Sequence, residues 1–481
     1  MSLHKRHSSA SGPTYRPREP KNGLLYETIA GHLEDFIYES RVNEKTIPDY
    51  VFSEFDSYLK CGVLEHGFIK LECENCKTSQ LVAFSCKKRG FCPSCIGKRM
   101  NEGSLFLVDH VFPNVGVRQW VLSLPMPVRF WMARRSDLMS SLLNIYMRAI
   151  HRFYKQSIIR SLGLDPKQLK IQTGSVTVIQ RFGSALNLNV HFHALFLDGA
   201  YVTGVDGELR FIEVGQINTH EIQEVLKKVQ TRMVRHLQKR GLVQKYESES
   251  GGEQSEIELD LITQVQGASV LYKIAQGENA GQKIRKIGSL GGRNDEAFSA
   301  GHLSAILGGF SLHATVCIEK ENRDRLQKLC KYLLRPPIAE DRLKKLNNGE
   351  ILFEMKTTWG DGTRAILFKP LELIEKLMAI IPQPRIHQVR FHGILAPSAT
   401  DREKVVPSKA DIQIQREMFE KTPAKKKPRL NWAELLRRTF QIDMNECAIC
   451  GGVVKFIQAV IKRDEILAIL AETGPPEVPA Q

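Results

Sequence analysis

The chain has 481 residues, 42% of them hydrophobic, and 68 basic against 53 acidic side chains give it a net charge of +15. That length exceeds one ordinary domain, so roughly two to four are expected, each with enough apolar material for a core. No apolar run reaches the roughly 18 residues that a membrane-spanning helix needs, and the positive excess favours a polyanionic partner.

In chain order, residues 1–22 are basic and polar with no apolar block, which reads as a disordered tail and not as a secretory signal. Residues 24–60 repeat apolar side chains at helical spacing on both sides of Pro48. A cysteine-rich block runs from Cys61 to Cys95. Val117 to Leu124 reads as a strand stopped by Pro125 and Pro127. Residues 134–161 read as one or two helices. Ser175 to Arg181 and Leu188 to Leu197 are β-rich and separated by a short glycine-containing connection, which predicts a hairpin. Residues 216–240 predict a basic amphipathic helix. The stretch 247–256 is acidic and of low complexity, and reads as a surface loop. Gly288 to Gly309 is glycine-rich without phosphate-loop spacing. Phe310 to Ile318 alternates as a strand, and a helix is expected from Glu321 to Arg335, ended by Pro336 and Pro337. Residues 398–430 read as a polar linker, followed by a small helical tail that carries Cys447 and Cys450.

Ten cysteines in a chain of this length do not suggest a disulfide scaffold. Cys73-x2-Cys76 and Cys92-x2-Cys95 are separated by 15 residues, a spacing that suits tetrahedral zinc and a reducing compartment. Cys61, His66 and Cys86 lie nearby as possible extra ligands. Lys87, Lys88, Arg89, Lys98 and Arg99 flank the block, so a basic rim for DNA is expected beside the metal. Cys447 and Cys450 form half a site, either completed by distant residues or left as buried thiols.

The stretch Leu188 to Leu197 alternates polar and apolar residues. On a strand, Asn189, His191 and His193 then share one face. Two imidazoles on a rigid strand can start a metal site. Across a hairpin, Gln180 can share that face as a third ligand, with His313 as the rival. Open positions for phosphate oxygens suit Mg²⁺ or Mn²⁺. Tyr332 lies at helical spacing from Lys328 and Arg335, so the three can share a helix face. These cations favour the phenolate, whose attack on a metal-held DNA phosphate is the expected chemistry. Leu326, Leu329, Leu333 and Leu334 are expected to anchor the helix.

The blocks FSCKKRGFCPSC, RQWVLSLPMP, TVIQRFGSALNLNVHFHALFLDG, GGFSLHATV, LCKYLLRPP, QVRFHGILAPSA and CAICGG resemble, in order, those of HUH-type rolling-circle transposases of the insertion-sequence-91 family. The resemblance implies an α+β fold with an HUH endonuclease core, a central antiparallel sheet flanked by helices. It implies a zinc-binding domain at the N-terminal side. It implies His191 and His193 as metal ligands around Phe192, and Tyr332 as nucleophile. Founding members carry two tyrosines four residues apart, whereas this sequence has Lys328 and Pro336 at those distances from Tyr332. It therefore resembles the single-tyrosine branch.

The expected organisation is a tail over 1–22, a helical zinc-binding, DNA-binding domain over 23–110 and a catalytic domain over 111–397. A linker over 398–430 and a small helical region over 431–481 follow. The expected activity nicks and rejoins single-stranded element ends through a 5′-phosphotyrosine, with Mg²⁺ or Mn²⁺ for catalysis and Zn²⁺ for structure. The expected partners are single-stranded or hairpin DNA at element ends and target DNA, with no membrane and the oligomeric state open. The expected location is the bacterial cytoplasm, at the nucleoid. The alternatives are a plasmid replication initiator or relaxase of the same chemistry, or a non-catalytic zinc DNA-binding protein.

Overall fold

The computed structural model describes residues 19–163, 169–204, 206–243, 260–288, 302–407, 445–447 and 449–473. The acidic stretch 247–256, most of the tail, most of the linker and residues 431–444 lie outside the described residues. The chain divides into two compact units, one of residues 1–30, 55–88 and 423–481, the other of residues 31–54 and 89–422.

The larger unit is built on an antiparallel sheet with Leu188–Leu197 at its centre. The strand order is Ser304–Leu307, Phe310–His313, Val117–Ser123, Leu188–Leu197, Gly174–Phe182, Val389–Gly393. The predicted hairpin is present, with Gln180 opposite His191 and Val178 opposite His193. The predicted strand over Phe310 to Ile318 is instead two short ones, Phe310–His313 and Cys317–Ile318, both paired to Val117–Ser123. The break is a register shift: from His313 opposite Val121 to Cys317 opposite Arg118 the chain advances four residues against three, an extra residue that interrupts the ladder.

Alternation decides what covers each face of the central strand. Phe192 and Phe196 point one way, and stack on Tyr146 and Tyr154 of helix Ser136–Leu162 at 6.0 and 5.5 Å between ring centres. The histidine face carries Leu195 and Leu197, with Val176 and Val178 beside them. These pack in one core with Leu326, Cys330 and Leu333 of helix Arg323–Leu334. Burying a leucine of this kind stabilises by about 1.5–3 kcal/mol, so the apolar stripe of the tyrosine helix fixes it on the face that bears His191 and His193. Asn322 caps that helix, its side chain accepting from the Arg325 N–H at 3.3 Å. Pro336 ends it by forcing Arg335 into extended backbone.

Helix Pro93–His110 belongs to this larger unit, so the unit boundary differs from the domain boundary expected after residue 110. It packs on the tyrosine helix through Gly103, where a Cβ would come within 2.9 Å of Leu334. Arg323 ties the two together. Its guanidinium donates to the carbonyl of Val108, in the last turn of helix Pro93–His110 where carbonyls lack helical partners, and to those of Phe112 and Pro113 just beyond it. A second, four-stranded sheet orders Leu343–Lys345, Ile351–Glu354, Ala365–Phe368 and Arg285–Ile287, and the sequence reading did not anticipate it.

The smaller unit holds a three-stranded antiparallel sheet in the order Val454–Val460, Phe68–Cys73, Ser79–Ala83. Phe68, Val460 and Ile466 form a buried cluster against this sheet, and Leu25, Ile29, Phe55, Tyr58 and Val63 are also buried in the unit. The region after 431 is therefore not simply helical: its strand Val454–Val460 pairs with Phe68–Cys73, and helix Arg463–Thr473 follows.

Candidate active site

His191 and His193 lie side by side on the buried central strand, ring centres 4.8 Å apart. His191 donates from Nδ1 to its neighbour's carbonyl, Asn189 O, at 2.8 Å, which leaves Nε2 with its lone pair. The side-chain amide nitrogen of Gln119 lies 2.9 Å from Nδ1 of His193. Nε2 of His193 is buried and has no hydrogen-bond partner among the described residues. Burial keeps both rings neutral. It holds His191 down at about 4, with Arg129 and Arg335 adding to the effect. It holds His193 well below the usual range, helped by His191 and Arg335. Two neutral imidazoles with an orphaned buried nitrogen are a donor set that a divalent cation satisfies.

The two candidate third ligands are placed differently. Gln180 stands directly across from His191 on the adjacent strand, and its amide nitrogen donates to the Leu333 carbonyl at 3.4 Å. His313 pairs with Val121, which in turn pairs with His193, so it lies two strands from the pair. Among the described residues no third histidine, cysteine or carboxylate closes on His191 and His193.

Tyr332 is 43% exposed. The Arg335 guanidinium lies over its ring at 4.1 Å from the centre, and Lys356 stands 5.5 Å from the same centre. Nη1 of Arg335 is buried without a hydrogen-bond partner among the described residues, so this cation has a donor free for an anion. Lys328 is exposed. Sequence reasoning missed Gln119, Arg129 and Lys356. Gln119 and Arg129 are polar residues in apolar stretches, and Lys356 lies between strands Ile351–Glu354 and Ala365–Phe368 of the unanticipated sheet, so no motif marks any of them.

The opposite face of the central strand ends in a buried polar cluster. Arg118 is bidentate on Asp198 at 2.9 and 2.7 Å. The Tyr154 hydroxyl and the Cys317 thiol also donate to that carboxylate, at 2.9 and 3.2 Å. The indole N–H of Trp120 in turn donates to Tyr154 Oη at 3.1 Å.

The spacing-based zinc quartet needs correction. Cys73 and Cys76 group with Cys447 and Cys450, not with Cys92 and Cys95. The reason is the pairing of strands Phe68–Cys73 and Val454–Val460, which sets Cys73 opposite Val454. Cys92 and Cys95 are buried at the start of helix Pro93–His110. The Cys86 N–H donates to Cys61 Sγ at 3.3 Å. His66 lies in the short turn Leu64–His66, and among the described residues it is in no ligand group. Lys87 and Arg89 are exposed, and Lys88 is half-buried.

Residues 29–124 match the family model of the transposase zinc-binding domain of insertion sequence 91, and residues 174–404 match a transposase model, Y2_Tnp. The chain belongs to the insertion-sequence-91 family of transposases. No curated protein and no solved structure matches this transposase. The zinc-binding match and the thiol grouping together support structural zinc in it. No helix among the described residues is long and apolar enough to cross a membrane.

Proposed function

We propose that this transposase cuts and rejoins single-stranded DNA at element ends through a 5′-phosphotyrosine on Tyr332, on an HUH-type core. One observation carries the reading: helix Arg323–Leu334, which bears Tyr332, packs on the sheet face of His191 and His193, where Gln180 opposite His191 donates to the Leu333 carbonyl at 3.4 Å. The tyrosine helix and the two imidazoles thus share one side of the sheet, with Arg335 over the Tyr332 ring, which supports a common site.

His191 and His193, with the Gln180 amide as third donor, would hold Mg²⁺ or Mn²⁺, which supplies Lewis-acid polarisation of the scissile phosphate. The chain's own groups do the rest. Arg335 aims its free Nη1 at the phosphate and offsets its charge. The Tyr332 oxygen attacks phosphorus and gives its proton to solvent. The bond to the 3′ oxygen breaks, and that oxygen takes up a proton as a free 3′-OH. The phosphodiester energy is kept in the phosphotyrosine, so the reverse attack by a 3′-OH rejoins DNA without a nucleotide cofactor. That hydroxyl can also prime replication, which makes the transposition rolling-circle-like. The net charge of +15 supports the polyanionic substrate. With one tyrosine on the helix, the second transfer uses the freed 3′-OH, the same tyrosine after resolution, or another protomer.

The test is a nicking assay on single-stranded end DNA with Mg²⁺, comparing the parent with Tyr332→Phe and His191→Ala/His193→Ala. The expected result is loss of nicking in both variants with DNA binding kept. Unchanged nicking by Tyr332→Phe would remove the tyrosine from the mechanism. Binding without any cleavage by the parent would favour a non-catalytic DNA-binding role.

A further inference from the structure

We propose that Cys73, Cys76, Cys447 and Cys450 bind one zinc ion, which clasps the strand Val454–Val460 and its following helix onto the hairpin of Phe68–Cys73 and Ser79–Ala83. The site lies partly outside the matched zinc-binding segment, since Cys447 and Cys450 come more than 300 residues after its end at 124. It does not depend on the nuclease reading.

The sulfur positions fit the ion. Cys73 and Cys450 are 3.5 Å apart, Cys76 and Cys447 are 3.6 Å apart, and all four sulfurs lie within 4.8 Å of one another. A tetrahedral ion with Zn–S bonds of about 2.3 Å sets its sulfurs about 3.8 Å apart. All four are free thiols, and their separations are far from the roughly 2.05 Å of a disulfide.

The backbone repeats itself around the two pairs. The Lys77 N–H donates to the Cys73 carbonyl at 3.1 Å, and the Gly451 N–H to the Cys447 carbonyl at 2.8 Å. The residue after each second cysteine is left-handed, with φ of 59° at Lys77 and 70° at Gly451. Each turn thus folds its two thiols toward one point, and the two turns abut. A Cβ on Gly452 would come within 2.7 Å of the Asn75 amide nitrogen and 3.0 Å of its Cβ, so the missing side chain lets the turns sit this close.

The energetics call for a clasp. Cys73 and Cys450 are 377 positions apart, and the loop between them must be closed at an entropic cost. The cluster that holds strand Val454–Val460 and its helix to the hairpin is small, with Phe68, Val460 and Ile466 as its buried members among the described residues, and so small an apolar contact gains from a metal staple. Four thiolates also suit iron, so the metal itself has to be identified.

The experiment measures zinc and iron per full-length chain in the parent and in Cys447→Ser/Cys450→Ser. We expect one zinc fewer per chain in the variant, no iron in either, and faster proteolysis after residue 445. Because the variant could misfold, the parent is also treated with a thiol-alkylating reagent with and without a zinc chelator. Cys76 and Cys450 are exposed, so solvent access alone would leave them reactive. Protection of all four until the chelator is added supports the site. Ready alkylation of Cys76 and Cys450 without chelator, unchanged zinc in a folded variant, or iron in place of zinc would each overturn it.

Discussion

The guanidinium of Arg335 lies 4.1 Å from the ring centre of Tyr332 and 5.8 Å from that of Phe182. Phe182 ends the strand that faces the histidines, and Tyr332 sits on the helix above it, so one cation spans sheet and helix. Replacing Arg335 with Gln removes its charge and forked donors. The expected outcome is a fall in cleavage of about 10²–10³-fold, the scale seen when a preorganised donor to a developing anion is lost. The salt dependence of DNA binding should lessen by about one phosphate contact. Cleavage rates at the parental level, measured in single turnover, would show that Arg335 does not touch the reacting phosphate.

Gln119 should set the tautomer of His193. For Nε2 of that ring to face a cation, Nδ1 must carry the proton, and the Gln119 side chain must present its oxygen. The nitrogen and oxygen of an amide exchange by a simple rotation. Gln119→Leu should therefore weaken Mn²⁺ binding about 10- to 100-fold, while Gln119→Glu, which also accepts from Nδ1–H, should retain most of it. Calorimetric titration of the DNA-free chain with Mn²⁺ reads this directly. Equal affinities for parent and Leu variant would make the contact merely structural.

The Arg118–Asp198 pair is a stability device on the far face of the histidine strand. Both residues are buried, and the carboxylate receives donors from Arg118, Tyr154 and Cys317. Asp198→Ala would leave a buried guanidinium unpaired, at a cost of about 3–5 kcal/mol. Chemical denaturation should show the loss, and a change under about 1 kcal/mol would mean that water reaches the pair.

Acid should destabilise the larger unit through His151 and His392. Burial holds His151 down at about 3 and His392 at about 4, against an ordinary value of 6.5. A depressed folded-state pKa means that the unfolded chain binds protons which the folded chain does not. Stability is then complete above pH 6.5 and falls as the pH drops from there toward about 4 and about 3. Over that window His151 is worth about 5 kcal/mol and His392 about 3 kcal/mol. His392→Gln should flatten the dependence in denaturation curves between those limits, and an identical slope in parent and variant would assign the acid sensitivity elsewhere.

The elements around the catalytic proposal were legible because they depend on local pattern. Alternation places His191 and His193 on one face, the short connection sets the hairpin, and Leu326 and Leu333 point the tyrosine helix inward. What escaped depends on contacts distant in sequence. The C-x2-C spacing suggests Cys92 and Cys95 as partners because it counts along the chain, whereas strand pairing brings in Cys447 and Cys450. Gln119 reads as one polar residue in an apolar strand. Only its neighbour across the sheet gives it a role.

The most direct test is to trap the enzyme–DNA bond itself. Full-length protein is incubated with single-stranded end DNA and Mg²⁺, denatured and digested, and the DNA-linked peptide is sequenced by mass spectrometry. One adduct is expected, on Tyr332, through a 5′-phosphate, and none when His191 and His193 are both replaced by Ala. An adduct on another residue, or one that forms equally well without the two histidines, would contradict it.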